Sequence, residues 1–396
     1  MANQTIGPGS RRAMRFVLLV GILSFFADFT YEGARSILGP FLAGAGASAT
    51  IIGIVVGLGE LLGYGLRVVS GTMADATRRF WPITIFGYIV QMGAVPALAL
   101  THSWQAAACL IVLERVGKAI RNPPRDVMLS SAAQRIGRYG WAFGIHEACD
   151  QFGAMLGPLV VAAVLATRGD YRLAFAVLAV PAVINLCFLT VARLVFPRPQ
   201  DMEQRTPGAA AAGSFPALYW VYLCGAGLVA AGFADYPLIA YHWVKQHTLT
   251  TEWIPVFYAV AMAVSGGASL VLGRFFDRFG FKVLIGLTGV SLFFAPLVFL
   301  GGHFGLAILG AALWGMGMGV HESIIPAAVA PMVAQSQRGS AFGTFTAVYG
   351  VCWFAGSAFI GWIYDQSVIG AVAFCVITQA TAIPVFVWVG WRREKG

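Results

Sequence analysis

The chain has 396 residues, of which 58% are hydrophobic and 11% charged, and its mean hydropathy is +0.76. Soluble domains carry roughly 25% charged residues, so this composition excludes water-coated globular domains as well as disordered or fibrous classes. The net charge of +9 is spread between apolar segments rather than gathered in one patch, which speaks against nucleic acid as a partner and for a topology signal.

A helix needs about 20 mainly apolar residues to cross the hydrocarbon. Backbone groups without water must bond internally, so such runs are helices. The sequence predicts an all-α membrane protein of twelve transmembrane helices, at 16–42, 51–73, 82–100, 104–124, 141–165, 173–195, 217–243, 254–273, 283–300, 304–328, 341–363 and 369–391.

The first span follows Arg11, Arg12 and Arg15, and AGAGASA (43–49) after it has the small residues of a cleavage region. A secretory signal core is only roughly 7–15 residues long. The run from Phe16 to Phe41 is longer and carries Asp28, Glu32 and Arg35, so a retained span is expected. Those charges fall at i, i+4 and i+7, on one helix face. Span 2 repeats the spacing with Glu60, Tyr64 and Arg67 and closes on GTMAD (71–75). Span 4 carries a stripe of Glu114, Lys118, Arg121 and Arg125, with Arg115 beside it. Span 5 puts His146, Asp150, Gly153 and Gly157 on one face, next to Glu147.

The stretch FPRPQDMEQRTPGAAAAGS (196–214) is the longest polar break and bisects the chain. It is read as a cytoplasmic linker between six-helix bundles at 1–195 and 215–396. Beyond it FADYPLIA (233–240) matches FADFTYEG (26–33), and GRFFD (273–277) matches GTMAD. GMGVHESI (317–324) lies 200 residues after GKAIRNPP (117–124). Three pairings in the same order indicate a duplicated, pseudo-symmetric unit. Secondary transporters are commonly built this way, with the binding site between the repeats.

With twelve spans, eighteen of the 26 basic residues fall on the side of the two tails, and Arg168, Arg172 and Lys245 on the other. The positive-inside rule then puts both termini in the cytoplasm. Eight acids (Asp28, Glu32, Glu60, Glu114, Glu147, Asp150, Asp235, Glu322) and five bases (Arg35, Arg67, Arg115, Lys118, Arg121) lie within spans. An ionisable group at mid-bilayer costs about 2.5–3.5 kcal/mol on insertion scales. These residues must therefore pair or line an aqueous cavity, where a carboxylate can exchange protons near neutral pH.

None of the six cysteines (Cys109, Cys149, Cys187, Cys224, Cys352, Cys375) forms a CxxC or CxH pair. Neither a disulfide framework nor a zinc site is indicated, and buried small apolar side chains are expected instead. HEACD (146–150) lacks the second His of HExxH. Met316, Met318 and His321 sit in a Gly-rich series that reads as close helix packing rather than copper handling. Without a P-loop or dinucleotide fingerprint, no cofactor and no direct ATP drive are expected.

Gly71, Asp75, Arg78 and Arg79, with Gly273, Asp277, Arg278 and Gly280 at the same place in the second half, carry a resemblance. They resemble the G-x-x-x-D-(R)-x-G-R-(R/K) loop motif of the major facilitator superfamily, and the likeness extends over nearly the whole chain. Ala76 and Arg78 stand where the motif has Arg and Gly. The resemblance implies two bundles that rock about a midplane site, locked in one state by this acidic–basic cluster. It also implies a cavity lined by helices 1, 4, 7 and 10. Cavity candidates are Arg35, Glu114, Arg115, Lys118, Arg121, His146 and His321, with aromatic walls from Tyr31, Tyr64, Trp141, Tyr241, Trp314, Tyr349 and Trp353. Proton coupling is expected of Asp28, Glu32 and Asp235, with Glu147, Asp150 and Glu322 behind them. Static pairing with the bases is the alternative for any one carboxylate. Gly153, Gly157 and Pro158 match the start of an antiporter motif whose closing glycines are absent, and small-xxx-small packing explains them equally well.

The expected function is export of a small solute in exchange for protons. Import of a small anion on the span 4 stripe is the alternative, and a membrane enzyme or assembly scaffold on the same fold is the rival from another class. The expected setting is a bacterial inner membrane. There the chain would be a monomer whose partners are the solute, protons and the lipid bilayer.

Overall fold

The computed structural model describes residues 8–136, 139–198, 215–329, 332–333 and 337–395, and among them there is no strand. In chain order the helical rods are α1 (Pro8–Arg35), α2 (Ala49–Thr77), α3 (Phe80–Ala97), α4 (Trp104–Ile136), α5 (Tyr139–Arg168), α6 (Tyr171–Val195), α7 (Ala217–Lys245), α8 (Trp253–Phe279), α9 (Phe281–Leu300), α10 (Phe304–Ala327), α11 (Arg338–Gln366) and α12 (Val368–Lys395). A short helix, Leu38–Gly44, follows α1. Among the described residues, eleven helices are long and apolar enough to cross a membrane, and α4 is the rod that falls short. It is helical throughout, but Glu114, Arg115, Lys118, Arg121, Arg125 and Asp126 make its composition too polar.

The bounds differ from expectation where local chemistry intervenes. The first span ends at Arg35 rather than running to 42. The fourth runs on through Pro123 and Pro124 to Ile136. A proline inside a helix leaves the carbonyl four residues earlier without its donor. Here Ser70 Oγ of α2 donates to that carbonyl, Ala119 O, at 2.8 Å, so the missing bond is replaced from a neighbouring helix. The α7 rod is unwound between Ala231 and Tyr236, and Pro237 opens its second part. Thr30 occupies the corresponding repeat position in α1, which stays continuous. In α10 a π-turn, Val320–Ile324, lies just ahead of Pro326; such turns often mark functional segments.

Within the first half α1 packs on α5 and α6, α4 packs on α2 and α3, and α3 packs on α6. The same pairs recur six helices later: α7 with α11 and α12, α10 with α8 and α9, and α9 with α12. The halves meet along α2–α11 and α5–α8. Apolar side chains such as Leu100, Leu194 and Ile369 point outward, as a lipid-facing surface requires. The cysteines depart from expectation. Only Cys375 is buried, Cys149 and Cys352 are half-buried, and Cys109, Cys187 and Cys224 are on outer faces.

Contact between the halves is concentrated at one end. A Cβ on Gly39 would fall 1.8 Å from Pro237 O, and Cβ atoms on Gly53 and Gly361 would fall 2.3 and 2.4 Å from Ser357 O and Ala49 O. Only glycine allows these backbones to touch. Asp365, near the end of α11, accepts from Ala49 N (3.1 Å), Thr50 N (2.8 Å) and Thr50 Oγ1 (2.6 Å), and so caps α2 from across the interface. Toward the opposite end, where α1 begins and α12 finishes, the rods separate. Gly63, Gly65, Gly273 and Gly343 have nothing within 4 Å of where a Cβ would stand. The molecule is closed at the far end and open at the tail end. Most of the expected linker, and the side chains of Asp75, Trp141 and Asp277, lie outside the described residues.

Candidate functional site

The charges of α1, α2 and α4 meet in the middle of the first half. Tyr31, one helical turn from Asp28 and from Arg35, presents its ring to three cations: Lys118 Nζ at 4.0 Å, Arg115 at 4.7 Å and Arg35 at 5.9 Å from the centroid. Around this hub the ions form a chain. Asp28 faces Lys118 (3.8 Å) and Arg121 (3.7 Å). Glu60 binds Arg115 at 2.7 Å and Arg35 at 3.2 Å, and Arg115 also lies 3.7 Å from Glu114. Gln91 of α3 joins the two clusters, donating to Glu114 at 2.7 Å and accepting from Arg121 Nε at 2.5 Å; Arg121 also reaches Tyr88 at 3.0 Å. Most of these groups are buried, so each pair substitutes for water that the interior lacks.

Two contacts carry this network into the second half. Arg35 Nη2 reaches Asp235 Oδ1 of α7 at 3.7 Å, and Tyr258 of α8 donates to Glu32 at 2.5 Å. Asp235 is 3% exposed. It is held by Trp353 Nε1 (3.1 Å) and Ser357 Oγ (2.5 Å) of α11, and it sits at the break in α7 that frees its backbone to turn. The matching residue of the repeat, Asp28, lies on continuous helix and, among the described residues, pairs within its own half.

The remaining candidates separate into three groups. His146 bonds Ser24 (2.6 Å) and lies 3.4 Å from Asp150, while Arg125 also donates to Ser24 at 3.1 Å. The ligand atoms of His146, Glu147 and Asp150 lie within 4.8 Å of one another, but the ring already serves two partners and the fields of Arg121 and Arg125 reach it, which opposes a cation. Glu147 and Glu322 are exposed. Glu322, on the second half, lies within electrostatic range of Glu147, Glu32, Lys118 and Arg35 of the first. His321, by contrast, is buried, bonds Tyr349, and packs against the rings of Phe233 (tilted) and Trp353 (edge-on). Trp314 is fully buried, donating to Ala234 O at 2.8 Å. Tyr241 accepts from Lys245 at 3.1 Å near the closed end. These three support the second half from within and do not line the Asp28–Glu60 cluster. Gly153 and Gly157 let α5 touch α1: a Cβ on either would stand 2.2 and 2.1 Å from Phe25 O and Phe29 O. Close helix packing accounts for both.

The span 4 stripe is met by carboxylates of α1 and α2, so it is not a bare anion surface. Gln91, Tyr88 and Tyr258 belong to the network but did not stand out in the sequence. Gln91 is the findable one, a lone amide in the otherwise apolar α3. In the loop motif Arg78 and Gly280 occupy equivalent positions and both have positive φ, 53° and 59°, though Arg78 (ψ 21°) is left-handed helical and Gly280 (ψ −136°) lies in a region open essentially to glycine alone; both conformations favour glycine.

A family model, the Major Facilitator Superfamily, matches residues 18–357. An uncharacterised protein of Mycobacterium tuberculosis is 40% identical over 371 residues, 92% of this chain and 90% of that protein. Multidrug resistance protein MdtH of Klebsiella pneumoniae is 28% identical over 170 residues, covering 41% and 40% of the two chains. The crystal structure of the nucleoside transporter NupG superposes with a TM-score of 0.71 at 14% identity, covering 94% of this chain and 98% of that one. Fold, helix pairing and sequence agree, and the chain belongs to the Major Facilitator Superfamily of membrane transporters.

Proposed function

We propose that this transporter is a proton-driven exporter of a small solute, working by alternating access in a bacterial inner membrane, with α4 as a twelfth span and both termini in the cytoplasm. The orientation rests on the excess of Arg and Lys at the tail end. The open end then faces the cytoplasm and the closed end faces outward. One observation carries the mechanism: the two polar bonds that carry the buried network across to the second half, Arg35–Asp235 and Tyr258–Glu32, both use titratable carboxylates.

A proton arriving on Asp235 removes its charge, and the attraction to Arg35 is lost. Arg35 retains Glu60, so the cation is not stranded. The outer contact between α1 and α7 is weakened, and the far end can open. Deprotonation restores the bond and favours the arrangement described above. Glu147 and Glu322, both exposed, are placed to exchange protons with water. Export as the direction is supported by the partial likeness to the multidrug resistance protein.

The test is flux in proteoliposomes. Solutes are first screened by thermal stabilisation of the purified chain, then followed under an imposed pH gradient of either sign. Movement opposite to the proton flow, abolished by a protonophore, is the expected result. No solute flux and no proton flux across a full screen would favour a scaffold role and overturn the proposal.

A further inference from the structure

At the tail end of the second half, α9 begins where α12 finishes, and a groove of about 420 Å³ opens between them. Phe281, Lys282 and Ile285 of α9 line it together with Val387, Trp391 and Arg393 of α12. Gly390 brings the two rods together beside it, since a Cβ there would stand 3.0 Å from Phe281 Cβ. The volume falls within the roughly 300–1,000 Å³ of sites that hold small molecules.

Polarity is graded along this groove. Lys282 and Arg393 supply cations at the tail end, and the Arg393 guanidinium lies 5.8 Å from the Phe281 ring centroid. Among the described residues its lining contains no carboxylate. Ile285 lies about one turn deeper in α9. Val387 lies deeper in α12, about 9 Å along the axis from Arg393. Val387 and Trp391 are each 48% exposed, so an apolar strip is left uncovered below the cations. Trp388 and Trp391 suit headgroup depth, and Arg392 lies over both rings, outside the groove lining. The positive end of the α9 dipole adds to the field at the same place.

We infer that this groove binds one anionic phospholipid of the leaflet at the tail end. Its phosphate sits between Lys282 and Arg393, and the start of an acyl chain follows Ile285 and Val387. Basic recesses between membrane helices recognise such headgroups, and the chain covers apolar surface that a free anion would leave bare. A second copy of the protein fits less well, because its tail end carries the same excess of Arg and Lys and would be repelled. The site requires only that the chain lies in a bilayer, so it stands apart from the direction and coupling of transport.

Thermal unfolding of the purified full-length chain is measured in detergent micelles doped with phosphatidylglycerol or with phosphatidylcholine of the same acyl chains. Glycerol phosphate serves as the soluble arm. Phosphatidylglycerol raises the midpoint more than phosphatidylcholine does. Arg393→Gln weakens that response roughly fivefold, and adding Lys282→Gln brings the loss to roughly tenfold or more. Arg392→Gln removes the same charge one residue away and leaves the response intact. Val387→Trp keeps every charge but fills the apolar strip, and it weakens the response too. The midpoint of each variant without added lipid separates loss of binding from loss of fold. Equal responses to the two lipids, or equal losses in Arg392→Gln and Arg393→Gln, overturn the site. The full effect from glycerol phosphate alone would make the ligand a free anion and overturn it as well.

Discussion

Arg35 of α1 and Asp235 of α7 meet across the interface between the two halves, Nη2 to Oδ1 at 3.7 Å. Each also has partners on its own side, Glu60 for the arginine and Trp353 and Ser357 for the aspartate. The cross-interface bond can therefore break without stranding either group, which suits a contact that must open and close in every cycle.

Asp235→Asn is expected to uncouple the protein while leaving it folded. The amide keeps a hydrogen-bonding role toward Ser357 but carries no exchangeable charge. Solute exchange without a gradient persists, whereas uphill movement driven by a pH gradient is lost. Equal loss of both activities would make Asp235 a structural residue only.

Glu60 is the carboxylate shared by Arg35 and Arg115. Removing it leaves two buried guanidiniums competing for fewer partners, a change that costs about 3–5 kcal/mol in buried pairs. Glu60→Gln should lower the thermal midpoint more than any other single carboxamide substitution in the network, as read by unfolding in detergent.

The closed end depends on backbone contact at Gly39 and Gly53. Gly53→Val adds atoms where Ser357 O already lies 2.3 Å from the first of them, and small shifts cannot absorb that overlap. The population should move toward an arrangement open at the far end. Spin labels at Ala43 and Gln246 would then report a longer distance than in the parent chain.

Tyr258→Phe deletes the donor to Glu32 and keeps the ring, which packs on Tyr236 and Trp314. Hydrogen bonds to charged groups contribute about 1.5–3 kcal/mol. A double-mutant cycle with Glu32→Gln should recover a coupling of that order, and no coupling would remove this bond from the mechanism.

Arg78 holds a left-handed backbone that costs an L-residue roughly 1–2 kcal/mol. Arg78→Gly should raise thermal stability by about 1 kcal/mol, and Gly280→Ala, where ψ of −136° is closed to other L-residues, should lower it by about 1–3 kcal/mol.

Much of this protein is written in local chemistry. Apolar runs of span length and the i, i+4, i+7 placement of Asp28, Glu32 and Arg35 depend on neighbours in the chain; eleven of the twelve runs are helices long and apolar enough to cross a membrane, and Asp28, Glu32 and Arg35 share the continuous helix α1. The helix 4 stripe is equally visible, but its meaning is not. Whether Arg115, Lys118 and Arg121 face a substrate or a carboxylate depends on the rotation of α1 and α2 against α4, which no local pattern encodes.

Helix periodicity and membrane hydropathy determined the rods, their order and the duplication, because a backbone in hydrocarbon has few ways to satisfy its own polar groups. Tertiary structure decided the rest. It left Arg67 with no carboxylate at ion-pair distance among the described residues, hid His321 and Trp314 inside the second half, and sent Asp235 across the interface when its twin Asp28 met bases of its own half. Coulomb attraction and steric fit act through space, between groups up to 316 residues apart along the chain, so those outcomes exist only once the helices are packed.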